Sequence, residues 1–223
     1  MTGNLRTATD TAVARVGPRG RAASSRKGAP GAKHEDKRTA ILRTAAQLFA
    51  EKGYEATSLD NIAERLGMHK ATLYHYVDNK ESILYQCLVL SFGDLDAVIE
   101  KTKDRSIPVL ERLRYFARSL AVAQNSDFGR CLVLVGSRPL EMVQSGDIRQ
   151  FQRRLDATVR NLVTEGIADG TLKPCNPAMF SALLFGALNW VPRWHSDGGK
   201  LSIQQVADTF MDMLVDGIGT GRR

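Results

Sequence analysis

The chain is short of cysteine: Cys87, Cys131 and Cys175 are the only three in 223 residues. They are far apart and form no Cys-x-x-Cys pair, so neither a disulfide framework nor a zinc or thiol-exchange site is supported. Reduced, buried thiols acting as small hydrophobes are the expectation. Long apolar runs are missing too. The longest, 178–191, is interrupted by Ser181 and Asn189 and is shorter than the ~20 residues that cross a bilayer, so no membrane partner is expected. The N-terminus lacks a continuous apolar segment leading to a small-residue cleavage site, which points to a cytoplasmic protein; an Arg-rich, acid-poor start also has something of an organellar transit peptide. Enzyme signatures are absent as well: no phosphate loop, no dinucleotide fingerprint, no Gly-x-Ser-x-Gly elbow and no His-Glu-x-x-His. Ser24-x-x-Lys27 fits one short catalytic pattern, but in a stretch with no core to preorganise a site. His34-Glu35-Asp36 is better explained as a charge cluster at a helix start than as a metal site. The reading is of a non-enzyme without metal or cofactor.

What the chain does have is positive charge, +7 overall, and its location matters more than its size. Residues 1–33 hold seven Lys/Arg against one acid, residues 34–90 seven against eight, and residues 91–223 seventeen against fifteen. Nearly all the excess lies in the first segment. That segment is rich in Ala, Gly, Arg, Ser and Thr and has no aromatic residue, so it is expected to be a disordered basic tail. It reads either as a basic arm toward nucleic-acid phosphates or as a solvated extension.

From His34 the pattern becomes helical. Ile41, Leu42, Ala45, Leu48 and Phe49 recur at helical spacing and Gly53 follows as a stop. Thr57-Ser58-Leu59-Asp60 has the form of a capping box opening a second helix, with Leu59, Ile62, Ala63 and Leu66 inward and Gly67 at its end. Only Gly67 and Met68 separate it from His69-Lys70-Ala71-Thr72, which leads into Leu73, Tyr74, Tyr76 and Val77. Two short helices across a tight glycine turn form a helix-turn-helix, whose second helix can enter a major groove. Asp78-Asn79-Lys80-Glu81 then caps a helix carrying Ile83, Leu84, Cys87 and Leu88.

Residues 45–84 resemble the DNA-binding domain of the TetR family of bacterial transcriptional regulators. The resemblance rests on Ala45-Ala46-x-Leu48-Phe49-x-x-x-Gly53-Tyr54, Thr57-Ser58, Ile62-Ala63, Gly67, Leu73-Tyr74-x-Tyr76 and Lys80-Glu81. Two positions depart from the family pattern: His69 stands where Ser or Thr commonly caps the recognition helix, at a cost on the order of 1 kcal/mol, and Val77 stands for the more usual Phe. The position of Lys70 and Thr72 near the recognition-helix start suits base contacts, and Ala71 lies between them. Ser58, Tyr74, Tyr76 and Lys80 resemble positions at which the family meets sugar and phosphate, and His69 and His75 join either group. Tyr74 and Tyr76 are two apart and cannot share a helix face, so one of them is expected to pack rather than bind. A cation in a first helical turn is unfavourable without a nearby anion, which suits Lys80 to phosphate.

The rest of the chain is read as about five more helices, over 107–123, 129–144, 148–168, 177–191 and 202–218, with no alternating strand pattern. The expected fold is all-α: a basic tail over 1–33, a three-helix helix-turn-helix domain over 34–84 and a helical ligand-binding and dimerisation domain over 85–223. The last two helices are the most apolar, and Phe180, Leu183, Leu184, Ala187, Phe210, Met213 and Leu214 are assigned to a dimer interface, with Gly186 allowing close approach. The family resemblance implies dimerisation through those helices. A ligand cavity is assigned to Phe116, Val133, Leu134, Phe151, Leu188 and Trp190, with Arg130 and Arg138 as cations for phosphates. Leu188-Asn189-Trp190-x-x-Arg193-Trp194, followed by Gly199-x-Leu201-Ser202, resembles a pattern in TetR regulators that respond to acyl-CoA thioesters. The expected function is a homodimeric repressor on a pseudo-palindromic DNA operator, released by a small hydrophobic or acyl-CoA-like effector. The alternative is a regulator without an effector, whose C-terminal domain only dimerises or binds a partner protein.

Overall fold

A computed structural model describes residues 30–93, 95–135, 139, 141, 146–196 and 198–217. Most of the basic tail and Arg138 lie outside the described residues. Ten α-helices are described: α1 Pro30–Lys52, α2 Leu59–Arg65, α3 Lys70–Leu73, α4 Lys80–Phe92, α5 Leu95–Lys101, α6 Val109–Asn125, α7 Asp127–Val135, α8 Gly146–Ala168, α9 Pro177–Trp190 and α10 Ile203–Val215. A 3-10 turn, Val191–Arg193, follows α9, and there is no strand among the described residues.

The capping chemistry falls one residue later than expected. Ser58, not Thr57, caps α2: its hydroxyl accepts the Asn61 backbone N–H while the Asn61 side chain accepts the Ser58 backbone N–H. Thr57 is buried, and its hydroxyl donates to the Gly53 carbonyl at 2.8 Å, fastening the α1–α2 turn. Asn79 and Ser82 close the same reciprocal box on α4, and Ser202 and Gln205 on α10. His69 caps α3 with no side-chain bond, as a poor cap should. The helix-turn-helix bend depends on Gly67 at φ 61°, a left-handed conformation that glycine adopts without a Cβ penalty.

Two hydrophobic cores result. The N-terminal core contains Ile41, Leu42, Ala45, Leu48, Phe49, Ile62, Leu73, Ile83 and Leu84, and also Cys131 and Leu132 of α7 and Ile148 of α8. The C-terminal core joins α5, α6, α8, α9 and α10 through Leu113, Phe116, Leu120, Val159, Val163, Leu184, Leu188 and Met211. The expected domain boundary after residue 84 falls inside α4, whose Cys87 and Leu88 remain in the N-terminal core. Lys80–Lys101 is long and apolar enough to cross a membrane by length and composition alone. Its apolar side chains are nevertheless occupied, Ile83, Leu84, Cys87 and Leu88 in one core and Leu95, Val98 and Ile99 in the other.

Candidate functional site

The face built by α2, α3 and the start of α4 carries every residue assigned to nucleic acid. Ser58, His69, Lys70, Ala71, Tyr74 and His75 are exposed, Thr72 half-buried. The two tyrosines divide as their spacing requires: Tyr74 keeps 48% of its surface exposed, while Tyr76 stacks on His34 with ring centroids 4.6 Å apart. Lys70 is ion-paired with Asp60 at 2.9 Å, which raises its already high pKa, so it remains a cation. Lys80 differs from the expectation of a free phosphate ligand. Its ammonium donates to the Tyr54 carbonyl at 2.8 Å and sits 4.3 Å from the Tyr54 ring centroid, pinning α4 to the α1–α2 turn. Burial and the neighbouring Glu81 push the Tyr54 phenol up to about 12, so it stays neutral beneath that ammonium.

A cavity of about 540 Å³ opens between the two cores. Leu88 and Phe92 of α4, Leu95 of α5, Leu120 of α6, Leu132 and Val133 of α7, Leu155 of α8 and Phe185 of α9 form its apolar wall. Gln124, Gln152, Asp156, Asn189 and Arg193 are its main polar groups. Asp156 already accepts a hydrogen bond from Ser181 and pairs with Arg160, which leaves Arg193 as the cation on the lining. Arg193 donates to the Val133 carbonyl at 3.2 Å and lies 4.9 Å from the Trp190 ring centroid, while Arg130 donates to the His195 carbonyl at 3.1 Å. Neither guanidinium has a carboxylate partner among the described residues.

Of the described residues assigned to the ligand, Val133 lines this cavity and the others are off its lining. Phe116 and Leu188 are fully buried in the C-terminal core, with Phe116 edge-on behind Phe185. Phe151 packs on Phe92, Leu134 is half-buried off the lining, and Trp190 stands outside at 60% exposure. Gln124, Asn189 and Arg193 are lining residues that the sequence pattern does not assign to the ligand. Helical periodicity locates a buried face but does not say whether that face meets a side chain or a void. The only signal for Asn189 and Arg193 is the Asn189-Trp190-x-x-Arg193 run, and Gln124 has none. Arg112, Arg114, Arg118 and Arg154 are held by Glu165, Asp212, Asp208 and Asp96 respectively.

Helix α7 belongs to both places. Leu132 enters the N-terminal core and also lines the cavity, beside Val133 and Gly129. At its first turn Asp127 accepts from Arg43 at 3.1 Å and from Gln47 at 3.2 Å, both on α1. Gly129 is required by close approach: a Cβ there would overlap the Ala123 carbonyl and stand 2.7 Å from Gln124 Cα.

The same two-part division appears in known proteins. The family of bacterial regulatory proteins of tetR type matches residues 41–87, and the tetracyclin repressor-like C-terminal domain matches residues 106–218. The chain belongs to the TetR family. Among TetR relatives, the transcriptional repressor KstR2 of Rhodococcus jostii (strain RHA1) is 24% identical over 190 residues, covering 82% of this chain and 92% of the relative. The biofilm operon regulator IcaR of Staphylococcus aureus (strain Newman) is 32% identical over 127 residues, 56% of this chain and 68% of IcaR. The crystal structure of the TetR regulator PfmR from Thermus thermophilus is 31% identical with a TM-score of 0.68, covering 80% and 98% of the two chains. AibR, solved in complex with isovaleryl coenzyme A and operator DNA, is 25% identical with a TM-score of 0.68 over 80% of this chain and 98% of its own.

On the TetR C-terminal domain, the residues assigned to a dimer interface separate into two sets. Leu184 is fully buried and Phe180 nearly so, so both belong to the subunit's own core and not to its surface. Leu183 and Met213 are exposed, at 62% and 54%, while Ala187, Phe210 and Leu214 are half-buried. Met179, Leu183, Gly186 and Trp190 form one exposed stripe along α9 at helical spacing.

Proposed function

We propose that this TetR regulator is a homodimeric repressor that reads a pseudo-palindromic operator through residues 69–75 and releases it when an acyl-CoA thioester occupies the cavity. The observation that carries the reading is α7, which touches the cavity on one side and the helix-turn-helix core on the other. A ligand seated against Leu132 and Val133 changes the energy of one α7 position relative to another. Only such differential affinity shifts a conformational equilibrium. Dimerisation through the α9 stripe sets two recognition helices about 34–36 Å apart, and a displaced α7 alters that spacing through α1.

Acyl-CoA chemistry is supported by an apolar wall of pocket size, by Arg193 on its lining with exposed Trp190 beside it, and by Arg130, which like Arg193 has no carboxylate partner among the described residues. That AibR was solved with isovaleryl coenzyme A and operator DNA adds to it. The repressor assignment follows the named roles of KstR2 and IcaR. The test is binding to duplexes from the chain's own upstream DNA, repeated with a panel of acyl-CoAs and their free acids. Release by a thioester but not by its acid supports the proposal. Sequence-specific binding that no thioester disturbs leaves a repressor without this effector, and Leu183→Glu that stays dimeric in sedimentation removes the proposed interface.

A further inference from the structure

A face that meets DNA gains affinity from cations and loses it to carboxylates, because phosphate attraction is the sequence-independent part of binding. One carboxylate nevertheless stands among the residues proposed to read DNA. Asp60 of α2 is exposed, two residues after the Ser58 cap, and each of its oxygens lies 2.9 Å from the Lys70 ammonium at the start of α3. The pair bridges the two helices of the helix-turn-helix across their proposed reading face.

Stability does not account for this acid. The side chains of Asp60 and Lys70 keep 64% and 50% of their surface in solvent, and an ion pair so exposed contributes little to folding. What the pair offers is a fixed pattern of hydrogen-bonding groups. The ammonium has three N–H donors and the carboxylate about four acceptor positions, so pairing with each other leaves both with capacity to spare. An acceptor and a donor are thus presented side by side, 2.9 Å apart. In the major groove a C·G pair presents the complement, the cytosine N4–H donor beside the guanine O6 acceptor, which bond to each other at about 2.9 Å.

The other base pairs match less well. Beyond O6, guanine offers a second acceptor, N7, to the same ammonium. An A·T pair repeats the donor and the acceptor but sets the thymine methyl where N7 would be. A pair in the reverse order turns an acceptor toward the carboxylate, which is then left unpaired against it.

We propose that Asp60 is a specificity-determining residue: with Lys70 it reads one C·G pair in each half of the operator, the carboxylate accepting from cytosine N4–H and the ammonium donating to guanine O6. The same carboxylate repels phosphate and holds Lys70 back from it, so contact with any other sequence is weakened.

The proposal rests on the DNA-binding reading above, and its test separates the two. The full chain, Asp60→Asn, Asp60→Ala, Lys70→Ala and the double variant Asp60→Asn with Lys70→Ala each select duplexes from a pool with a randomised core, and the selected duplexes are sequenced. Thermal melts check that every protein is folded. The wild-type site should contain one C·G pair per half whose replacement weakens binding by about 10- to 100-fold. Both Asp60 variants should relax that position alone and bind scrambled duplex more tightly, since a repelled charge is gone and a cation is freed. Lys70→Ala should relax the same position while binding scrambled duplex less tightly. The double variant should relax it no further than a single one, because the two side chains act as a unit. Asp60 variants that keep the wild-type profile overturn the proposal and leave the operator reading standing. Preference lost at every position alike makes Asp60 a support of α3 and also overturns it. A wild-type chain that selects no sequence overturns the operator reading and this inference with it.

Discussion

The two cores of this chain are built to different ends. The N-terminal core is filled except where Leu88 and Leu132 reach the cavity: Ile41, Leu48, Phe49, Ile62, Leu73, Ile83 and Leu84 are essentially without solvent contact, and a polar rim of capping boxes and the Lys80 clamp locks its corners. The C-terminal core is larger, yet its wall of Leu120, Leu155 and Phe185 faces a void of about 540 Å³. A filled core holds one geometry, as a reader of fixed base positions needs. A core with an internal gap has a second arrangement available when something fills it. Helix α7 is where the two designs meet.

The contrast is tested most severely by deleting one ring from each core. Phe49→Ala should cost about 3–5 kcal/mol in chemical denaturation, the range for a fully enclosed aromatic. Phe185→Ala, beside an existing void, should cost no more than about 2 kcal/mol, since the atoms on its open side have no partners to lose. Equal losses would mean that the cavity wall is as tightly supported as the reader. Gly129→Ala tests the junction. A methyl against the Ala123 carbonyl forces α7 away from α6, and overpacking of this kind costs about 1–3 kcal/mol. Because α7 serves both cores, operator binding should weaken although no DNA-facing residue has changed. A variant of wild-type stability and affinity would remove α7 from its connecting role.

The C-terminal domain also holds an ion pair with a buried guanidinium, which has no counterpart among the described residues of the N-terminal module. Arg112, 4% exposed, donates to the Thr102 and Ile107 carbonyls and to both oxygens of Glu165. This pairing holds the Glu165 carboxyl below its ordinary value. A depressed carboxyl binds fewer protons folded than unfolded, so its contribution is present above pH ~4.3 and is lost as pH falls through the folded value. Glu165→Gln should lower stability by about 1–2 kcal/mol at pH 7, below the 3–5 kcal/mol of a fully buried pair because Glu165 is itself 32% exposed. The variant should also lose part of the wild-type decline in stability below pH ~4.3, measured by thermal melts across pH. An unchanged acid profile would show that other carboxylates control it.

On the face proposed to read DNA, Lys70 and Lys80 make a matched pair. Lys70 is exposed at the start of α3, whereas Lys80 is committed to the Tyr54 carbonyl. Lys70→Ala with Thr72→Ala should reduce discrimination between operator and scrambled duplex by about 1–3 kcal/mol and leave thermal stability within roughly 0.5 kcal/mol. Lys80→Ala should instead lower stability by about 1 kcal/mol, the value of a hydrogen bond to a charged donor at a partly exposed site, with discrimination retained. Exchanged phenotypes would exchange the two roles.

The helices were legible because their apolar residues recur at helical period and their stops are Gly53, Gly67 and Gly170, each at positive φ. Capping was legible to within one residue: Thr57 and Ser58 both have hydroxyls, and only the fold decides which one turns inward to Leu48 and Gly53. That one of Tyr74 and Tyr76 packs followed from spacing, but that it is Tyr76 depended on His34, forty-two residues away. The cavity was least legible. A void is set by distances between helices, and Phe116, assigned to the ligand, is separated from it by Phe185, which no local pattern distinguishes.

The smallest expected effect concerns the thiols. Cys87 and Cys131 are both fully buried in the N-terminal core, and burial pushes the Cys131 thiol up to about 12 and the Cys87 thiol higher still. Reaction with a disulfide reagent requires both thiolate and access, and these two residues have neither. Cys175, exposed ahead of α9, has access. At pH 8 the native protein should therefore release one equivalent of chromophore per chain rapidly, and the remaining two only at the rate of global unfolding. Cys175→Ser should abolish the fast phase without altering operator binding. A second fast thiol would mean that the N-terminal core opens locally around Cys87 or Cys131, and the rigidity assigned to the reader relative to the cavity domain would then be lost.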